Sequence, residues 1–214
     1  MKKSHVLVAL TLLLALSIPA MAQEDEEDEK WRNFEVGITA GMNFPSGSFG
    51  DWGDSLGAKN GFTAGVCGGY CLTNAISLGA YFTYSYHGME IYNLSYKLYD
   101  AGAYAKFALV GESDWEPYAK ISGGAVFPKF ATWVTEDRNT MRELSYDPAL
   151  SLGLFAGLLW YTSDYGGLFL EAGYHLNMTE EVEGEYASEK ILLKDNVEYI
   201  SVKIGISVFF GPEE

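Results

Sequence analysis

The stretch from Asn196 to Phe210, NVEYISVKIGISVFF, decides the predicted fold. Its odd-numbered positions from Tyr199 to Ser207 are mostly polar or small, and they include Lys203. The even-numbered positions are apolar: Ile200, Val202, Ile204, Ile206, Val208 and Phe210. Because successive side chains of a strand point to opposite faces, a period of two predicts a β-strand. A lysine among small residues suits the narrow lumen of a small barrel, so we interpret this stretch as the closing strand of a transmembrane β-barrel.

Seven further segments with the same alternation precede this strand. They cover residues 33–44, 61–72, 75–87, 95–109, 116–128, 149–161 and 167–178. Each is long enough to cross a bilayer as a tilted strand, which takes about 9–11 residues. The sequence therefore predicts an all-β fold, an eight-stranded antiparallel up-and-down transmembrane β-barrel with apolar side chains facing lipid and small or charged side chains inside.

The predicted connections alternate between long and short. The longer links, after the first, third, fifth and seventh strands, are residues 45–60, 88–94, 129–148 and 179–195. Outer-membrane barrels have short periplasmic turns and long outer loops, so the pattern predicts that both termini lie in the periplasm. Phe49 and Trp52 in the first long link suit an exposed recognition surface or an apolar lid.

Residues 1–22 have the features of an export signal. Lys2 and Lys3 precede an apolar run, and Ala20-Met21-Ala22 matches the cleavage pattern of signal peptides. Residues 23–32, QEDEEDEKWR, form an acidic periplasmic leader that we expect to be solvated. The barrel domain then covers residues 33–214.

Charge and hydropathy exclude two classes of function. The net charge of −15 opposes binding to the phosphates of nucleic acids. After the export signal, no segment approaches the roughly 18 uninterrupted apolar residues of a membrane-spanning helix. A membrane location therefore requires a closed barrel, in which every backbone group finds a partner.

A family resemblance rests on three features of the sequence. They are the exported N-terminus, the eight alternating segments over residues 33–210 and the terminal strand that ends on Phe210. The chain resembles the small eight-stranded outer-membrane β-barrel proteins, the OmpA, OmpX and OmpW-like group and the outer membrane protein beta-barrel domain families. The resemblance implies a monomer in the bacterial outer membrane, in contact with outer-membrane lipid and lipopolysaccharide. It also implies periplasmic chaperones as partners and Phe210 as the signal for the barrel assembly machinery. The chain departs from the family pattern by continuing with Gly211-Pro212-Glu213-Glu214 after the terminal aromatic residue.

The inward-facing charged residues are the candidate site. Because the interior of an eight-stranded barrel is only wide enough for side chains, opposite charges there are expected to meet across the lumen. We predict one group in the periplasmic half and another nearer the middle. The first group comprises Glu35, Lys106, Lys120 and Glu171, and the second Asp100, His175 and Lys203. The main interpretation is a structural network that plugs the lumen; the alternative is a narrow polar pore that opens when the ion pairs rearrange.

Neither catalytic, cofactor-binding nor metal-binding residues are predicted. The barrel enzymes that modify lipids use a serine and a histidine at the membrane-facing rim, and here only His87, with Ser85 and Glu90 nearby, fits that description. Cys67 and Cys71 on one strand lie about 13 Å apart, beyond the roughly 7 Å limit for a disulfide. The predicted function is a structural or surface-interaction role. The alternatives are a conduit for small solutes or hydrophobic ligands, and a lipid-modifying enzyme.

Overall fold

The structure is a computed structural model that describes a defined part of the chain. The described residues are 33–50, 57–89, 95–111, 113–133, 141–180, 182–186, 189–192 and 196–211. The predicted signal peptide and acidic leader lie outside them. In these ranges no helix has the length and apolar character needed to cross a bilayer.

The described residues form eleven strands and one short 3-10 turn, Gly47–Phe49, directly after the first strand. The strands are β1 (Phe34–Ser46), β2 (Ala58–Cys71), β3 (Ile76–Met89), β4 (Ser95–Ala108), β5 (Trp115–Trp133), β6 (Met141–Ser145), β7 (Ala149–Ser163), β8 (Gly166–Met178), β9 (Glu183–Tyr186), β10 (Glu189–Leu192) and β11 (Val197–Phe210).

Eight of these strands close into a barrel. Each pairs with its neighbours in the order β1-β2-β3-β4-β5-β7-β8-β11, and β11 returns to β1. The closing pair is antiparallel over its whole length, from Phe34 opposite Phe210 to Ser46 opposite Glu198. Closure leaves no free edge among these strands, so their backbone groups are satisfied within the wall. The predicted eight-stranded antiparallel up-and-down barrel is confirmed.

The distribution of side chains is the reverse of that in a soluble protein. Ile204 is 65% exposed and Ile38 is 57% exposed on the outside of the wall, whereas Glu171 is 2% exposed and Lys106 is 7% exposed inside it. Seven of the eight barrel strands have exposed large apolar residues on this outer face, and on β4 the outward residues Tyr99 and Phe107 are half-buried. The alternation read from the sequence therefore has the predicted sense, with apolar side chains pointing outward.

Two of the predicted long links contain strands. Residues 129–148 were expected to form a link, but β5 continues to Trp133 and pairs with β6 from Lys129 opposite Ser145 onward. Within residues 179–195, β9 and β10 form a separate hairpin. Beyond a bilayer neither face of a strand has to be apolar, so such strands lack the alternation by which the barrel strands were recognised.

Adjacent glycines on β5 test the assignment of the inner and outer faces. A Cβ atom on Gly124 would lie 2.2 Å from the carbonyl oxygen of Ala101, whereas the nearest atom to a Cβ on Gly123 is 3.7 Å away, on Leu152. We expect Gly124→Ala to lower the free energy of unfolding by about 1–3 kcal/mol, because the wall must deform around the methyl group. Gly123→Ala, the matched control, should change it by less than about 0.5 kcal/mol. Urea unfolding in lipid vesicles, followed by tryptophan fluorescence, measures both; equal losses would contradict the assigned faces.

Candidate functional site in the barrel lumen

The two ends of the barrel differ in the parts of the chain that lie there. The terminal end is where β1 begins and β11 ends, and the loop end is the opposite one, where the Gly47–Phe49 turn follows β1. Charged side chains from β1, β4, β5, β8 and β11 project into the lumen between these ends. The structure brings five of the seven predicted residues into ion pairs: Glu35, Lys106, Lys120, Glu171 and Lys203.

The first ion pair joins two strands that are not neighbours. Lys106 Nζ on β4 donates to Glu35 Oε2 on β1, directly across the lumen. The other carboxylate oxygen of Glu35 accepts a hydrogen bond from Ser207 Oγ at 2.7 Å. Both oxygens of a buried carboxylate are thereby satisfied, which removes most of the cost of burying it.

The second cluster holds one carboxylate between two ammonium groups. Lys120 Nζ on β5 contacts Glu171 Oε2, and Lys203 Nζ on β11 lies 3.6 Å from Glu171 Oε1. The hydroxyl of Tyr118 donates to Glu171 Oε2 at 3.2 Å. The Phe155 ring lies between the lysines, with its centroid 4.7 Å from Lys120 Nζ and 4.5 Å from Lys203 Nζ. Cation–π attraction therefore adds to the ion pairing.

The remaining two predicted residues, Asp100 and His175, are hydrogen-bonded to neutral side chains. Asp100 accepts hydrogen bonds from Tyr81 at 3.0 Å and from Ser151 at 2.8 Å. His175 Nε2 lies 3.2 Å from Ser201 Oγ. The predicted division into two levels is wrong for Lys203, which is directly opposite Glu171 in the β11–β8 register. The distance of each residue from the end of its own strand does not reveal this, because it does not include the offset between β8 and β11.

A cluster of rings closes the loop end of the lumen. Phe49 is 0% exposed, and its ring centroid lies 5.1 Å from that of His87 and 5.3 Å from that of Tyr96. The Tyr199 ring extends the cluster: its centroid lies 5.3 Å from that of His87, and it stacks on His175 with the centroids 4.4 Å apart. Gly47, with φ of +59°, adopts the left-handed backbone that lets the turn fold inward. Of the two roles suggested by the sequence, Phe49 takes that of an apolar lid, while Trp52 lies outside the described residues.

A second apolar cluster closes the terminal end. The rings of Phe209 and Tyr161 are 5.5 Å apart. The buried members of the cluster are Ala108, Tyr118, Leu159, Phe169 and Phe209. Phe169 and Tyr118 lie two residues before the inward-facing Glu171 and Lys120, so the alternation puts them inside the barrel, but it does not predict that they assemble into a plug. The feature of the sequence that could have indicated the plug is that these large apolar residues face inward.

Between the two plugs the lumen holds two small cavities. One of about 20 Å³ is lined by residues of both ion-pair clusters, and one of about 30 Å³ reaches from Glu171 to His175. Cys67 lines both cavities. A water molecule needs about 10–15 Å³ of such space, so the smaller cavity has room for about one or two waters and the larger for about two or three.

His87 is buried among the rings at the loop end of the lumen. Its ring is 0% exposed, with Nδ1 3.2 Å from the carbonyl oxygen of Lys59 and Nε2 3.5 Å from Asn43 Nδ2. Ser85 donates to Thr63 Oγ1 at 3.2 Å, and Glu90 lies outside the described residues. Over the described ranges, no group of three or more His, Cys, Asp or Glu side chains could hold a metal ion.

Two sequence features outside the lumen are also placed by the structure. Phe210 is 54% exposed on the outer face, opposite Phe34 at the terminal end. Residues 212–214, which follow it beyond Gly211, lie outside the described residues. Cys67 and Cys71 are both free thiols, as their predicted separation requires.

A protein-family model matches most of the chain. The model of the family described as outer membrane protein beta-barrel domain matches residues 8–210. Among curated proteins, none matches the chain.

Solved structures of outer-membrane proteins have the same fold. Neisserial surface protein A is 20% identical, with 83% of this chain and 97% of that chain covered and a TM-score of 0.54. OprG from Pseudomonas aeruginosa is 11% identical, with 86% and 100% covered and a TM-score of 0.55. A major outer membrane protein from Thermus thermophilus is 12% identical, with 83% and 99% covered and a TM-score of 0.52.

The shared carboxylate of Glu171 leads to a ranked mutational prediction. We expect Glu171→Ala to lower the free energy of unfolding by about 3–5 kcal/mol, because the buried Lys203, the half-buried Lys120 and the Tyr118 hydroxyl lose their acceptor. Lys120→Ala should cost less, since Glu171 keeps Lys203. Lys106→Ala leaves Glu35 without its ammonium partner, so the Glu35→Ala/Lys106→Ala double variant should be more stable than Lys106→Ala alone.

Urea unfolding in lipid vesicles measures this series. Lys59→Ala is the matched control, because it removes a lysine whose side chain is exposed near the loop end of β2. Wild-type stability in both Glu171→Ala and Lys106→Ala would show that the buried ion pairs do not support the fold.

Proposed function

Since this chain belongs to the outer membrane protein beta-barrel domain family, we propose that it is a structural or surface-interacting barrel whose lumen is closed to solutes. The family places it in the bacterial outer membrane. One observation carries the proposal: apolar clusters cover both ends of a lumen whose middle is filled by paired charges. A side-chain-filled interior favours a rigid scaffold over a pore.

The balance of charges in the lumen supports the same role. Three carboxylates, Glu35, Asp100 and Glu171, share the interior with the three lysines of the ion-pair clusters. The rings of Tyr118 and Phe155 fill the space beside the lysine side chains. Such a set satisfies its own charges and needs no counterion from solution, in contrast to the charged rings that select ions in open channels.

The proposed orientation puts the terminal end in the periplasm and the loop end outside the cell. The connections at the terminal end are short, such as that between β2 and β3, whereas the loop end carries the β5–β6 extension and the β9–β10 hairpin. These loop-end elements are the proposed surface for partners. We further propose that residues 1–22 direct export and that periplasmic chaperones deliver the chain. The barrel assembly machinery then recognises Phe210 and inserts the protein, which is a monomer.

The conduit and enzyme alternatives have weaker support. A conduit would require Phe49 to leave a site where it is 0% exposed, and the cavities behind it have room for only about one to three waters each. An enzyme would require a nucleophile beside His87, whose near neighbours are the Lys59 carbonyl and the Asn43 amide.

The reactivity of Cys67 tests whether the lumen is closed. In a Cys71→Ser background, Cys67 is the sole thiol and it lines both cavities. We expect a charged, water-soluble methanethiosulfonate reagent to modify Cys67 only after the protein is unfolded in urea, because both plugs block access. The matched control is Thr73→Cys in a Cys67→Ser/Cys71→Ser background; this position is exposed in the β2–β3 turn and should react at once in the folded protein.

Planar-bilayer recordings on the same proteins complete the test. The closed lumen predicts no steady conductance. Rapid labelling of Cys67 in the folded barrel together with a stable single-channel current would replace the scaffold proposal with the narrow-pore alternative.

A further inference from the structure

The lid at the loop end, the Gly47–Phe49 turn, packs on polar side chains. Phe49 is the buried residue of this turn, whereas Gly47 is exposed. The Phe49 ring meets the imidazole of His87 edge to face, with the centroids 5.1 Å apart. His87 Nε2 in turn lies 3.5 Å from Asn43 Nδ2. The ring that enters the lumen therefore covers groups that water would solvate.

Two buried amides beneath the lid lack hydrogen-bond partners. Asn43 Oδ1 and both amide atoms of Asn177 have none among the described residues, and both side chains are fully buried. The Asn177 amide approaches the Tyr199 hydroxyl without hydrogen-bond geometry. Neither amide lines the two lumen cavities, so water enclosed in them does not supply the missing partners. Because buried polar groups are normally paired, these amides point to a state in which water reaches them.

The two amides belong to one polar layer of the lumen. Asn43 is opposite Ser201 in the β1–β11 register, and Asn177 is opposite Ser151 in the β7–β8 register. His175 Nε2 lies 3.2 Å from Ser201 Oγ, and His175 Nδ1 borders the larger cavity. The polar layer comprises Asn43, His87, His175, Asn177 and Ser201, all of them buried.

The charged residues deeper in the lumen are satisfied by one another. Glu35 has Lys106 and Ser207 as donors, and Glu171 has two lysines and Tyr118. None of these contacts involves the lid. Leaving a buried polar atom unpaired costs a free energy comparable to that gained by burying one aromatic ring. Closure of the lid is therefore nearly balanced, whereas the ion-pair clusters beneath it favour the closed lumen.

We propose that the Gly47–Phe49 lid opens transiently in the folded barrel and turns the loop end of the lumen into a water-filled chamber with a closed floor. In the open state water pairs with the amides of the polar layer, which offsets the lost ring contacts of Phe49. The floor is the Glu171 cluster, and the larger cavity beside it, of about 30 Å³, has no room for a solute. The chamber is therefore blind, and opening the lid does not create a conduit.

Labelling of a thiol in the polar layer tests the lid. Ser201→Cys in a Cys67→Ser/Cys71→Ser background puts a thiol of similar size at a fully buried position. We expect the charged methanethiosulfonate reagent to modify it slowly in the folded protein, at a rate set by lid opening. Phe49→Ala should raise this rate by about tenfold or more, because burial of the ring contributes such a factor to closure.

Two further variants separate lid opening from general loosening. Phe209→Ala is the matched control, because it removes a buried ring from the plug at the terminal end, and it should leave the rate unchanged. Asn177→Leu replaces an unpaired amide by an apolar group of similar size. It should slow labelling by about fivefold or more, since closure then leaves fewer polar atoms unpaired. Circular dichroism verifies the barrel in each variant.

Three results would overturn the proposal. The first is labelling of Ser201→Cys only after unfolding, both with the natural lid and with Phe49→Ala. The second is equal acceleration by Phe49→Ala and Phe209→Ala, which would indicate a loosened barrel. The third is faster labelling in Asn177→Leu.

The outcome is distinguishable from that of the lumen-closure test. Cys67 lies among the ion-pair clusters and should stay protected in the folded barrel even with Phe49→Ala. Labelling of Cys67 behind the natural lid would reject the closed scaffold, whereas protection of both Cys67 and the thiol of Ser201→Cys would reject only the lid.

Discussion

The structure depends on one constraint: in lipid, every backbone N–H and C=O of the wall must find a partner within the wall. The pairing of β11 with β1 meets this constraint by closing the sheet, and eight strands then set a narrow diameter. The narrow diameter brings Lys106 and Glu35 from non-adjacent strands into contact. The ion pairs, the aromatic plugs and the small cavities are therefore consequences of closure with this number of strands.

The lumen shows how a barrel can be packed without an apolar core. Burying ions is costly, and a buried ion pair by itself is weak evidence of stability. In this lumen each carboxylate of the clusters has several donors: Glu35 has Lys106 and Ser207, and Glu171 has two lysines and Tyr118. A shifted register would leave a buried ion without its partner, so the ion pairs penalise strand pairings other than the one observed.

The sequence could predict whatever the bilayer enforces. Lipid on one face and a packed lumen on the other impose strict alternation, so the eight strands, their order and the direction of Ile204 or Glu171 followed from a period of two. Beyond the bilayer the alternation of apolar and polar residues is no longer required. The sequence therefore did not predict the β5–β6 extension or the β9–β10 hairpin. The contact of Phe49 with His87 and the level of Lys203 depend on loop conformation and strand offset, which alternation does not encode.

Separate surfaces follow from the same geometry. Each strand contributes one residue to the lumen and the next to the wall, so Lys97 can be placed on the outside while Leu98 is buried in the loop-end plug beside it. A change on the wall therefore alters contact with lipid without removing a lumen contact, as Ala103 and its inward neighbour Tyr104 illustrate. This independence allows the outer wall and the lumen of the barrel to change separately.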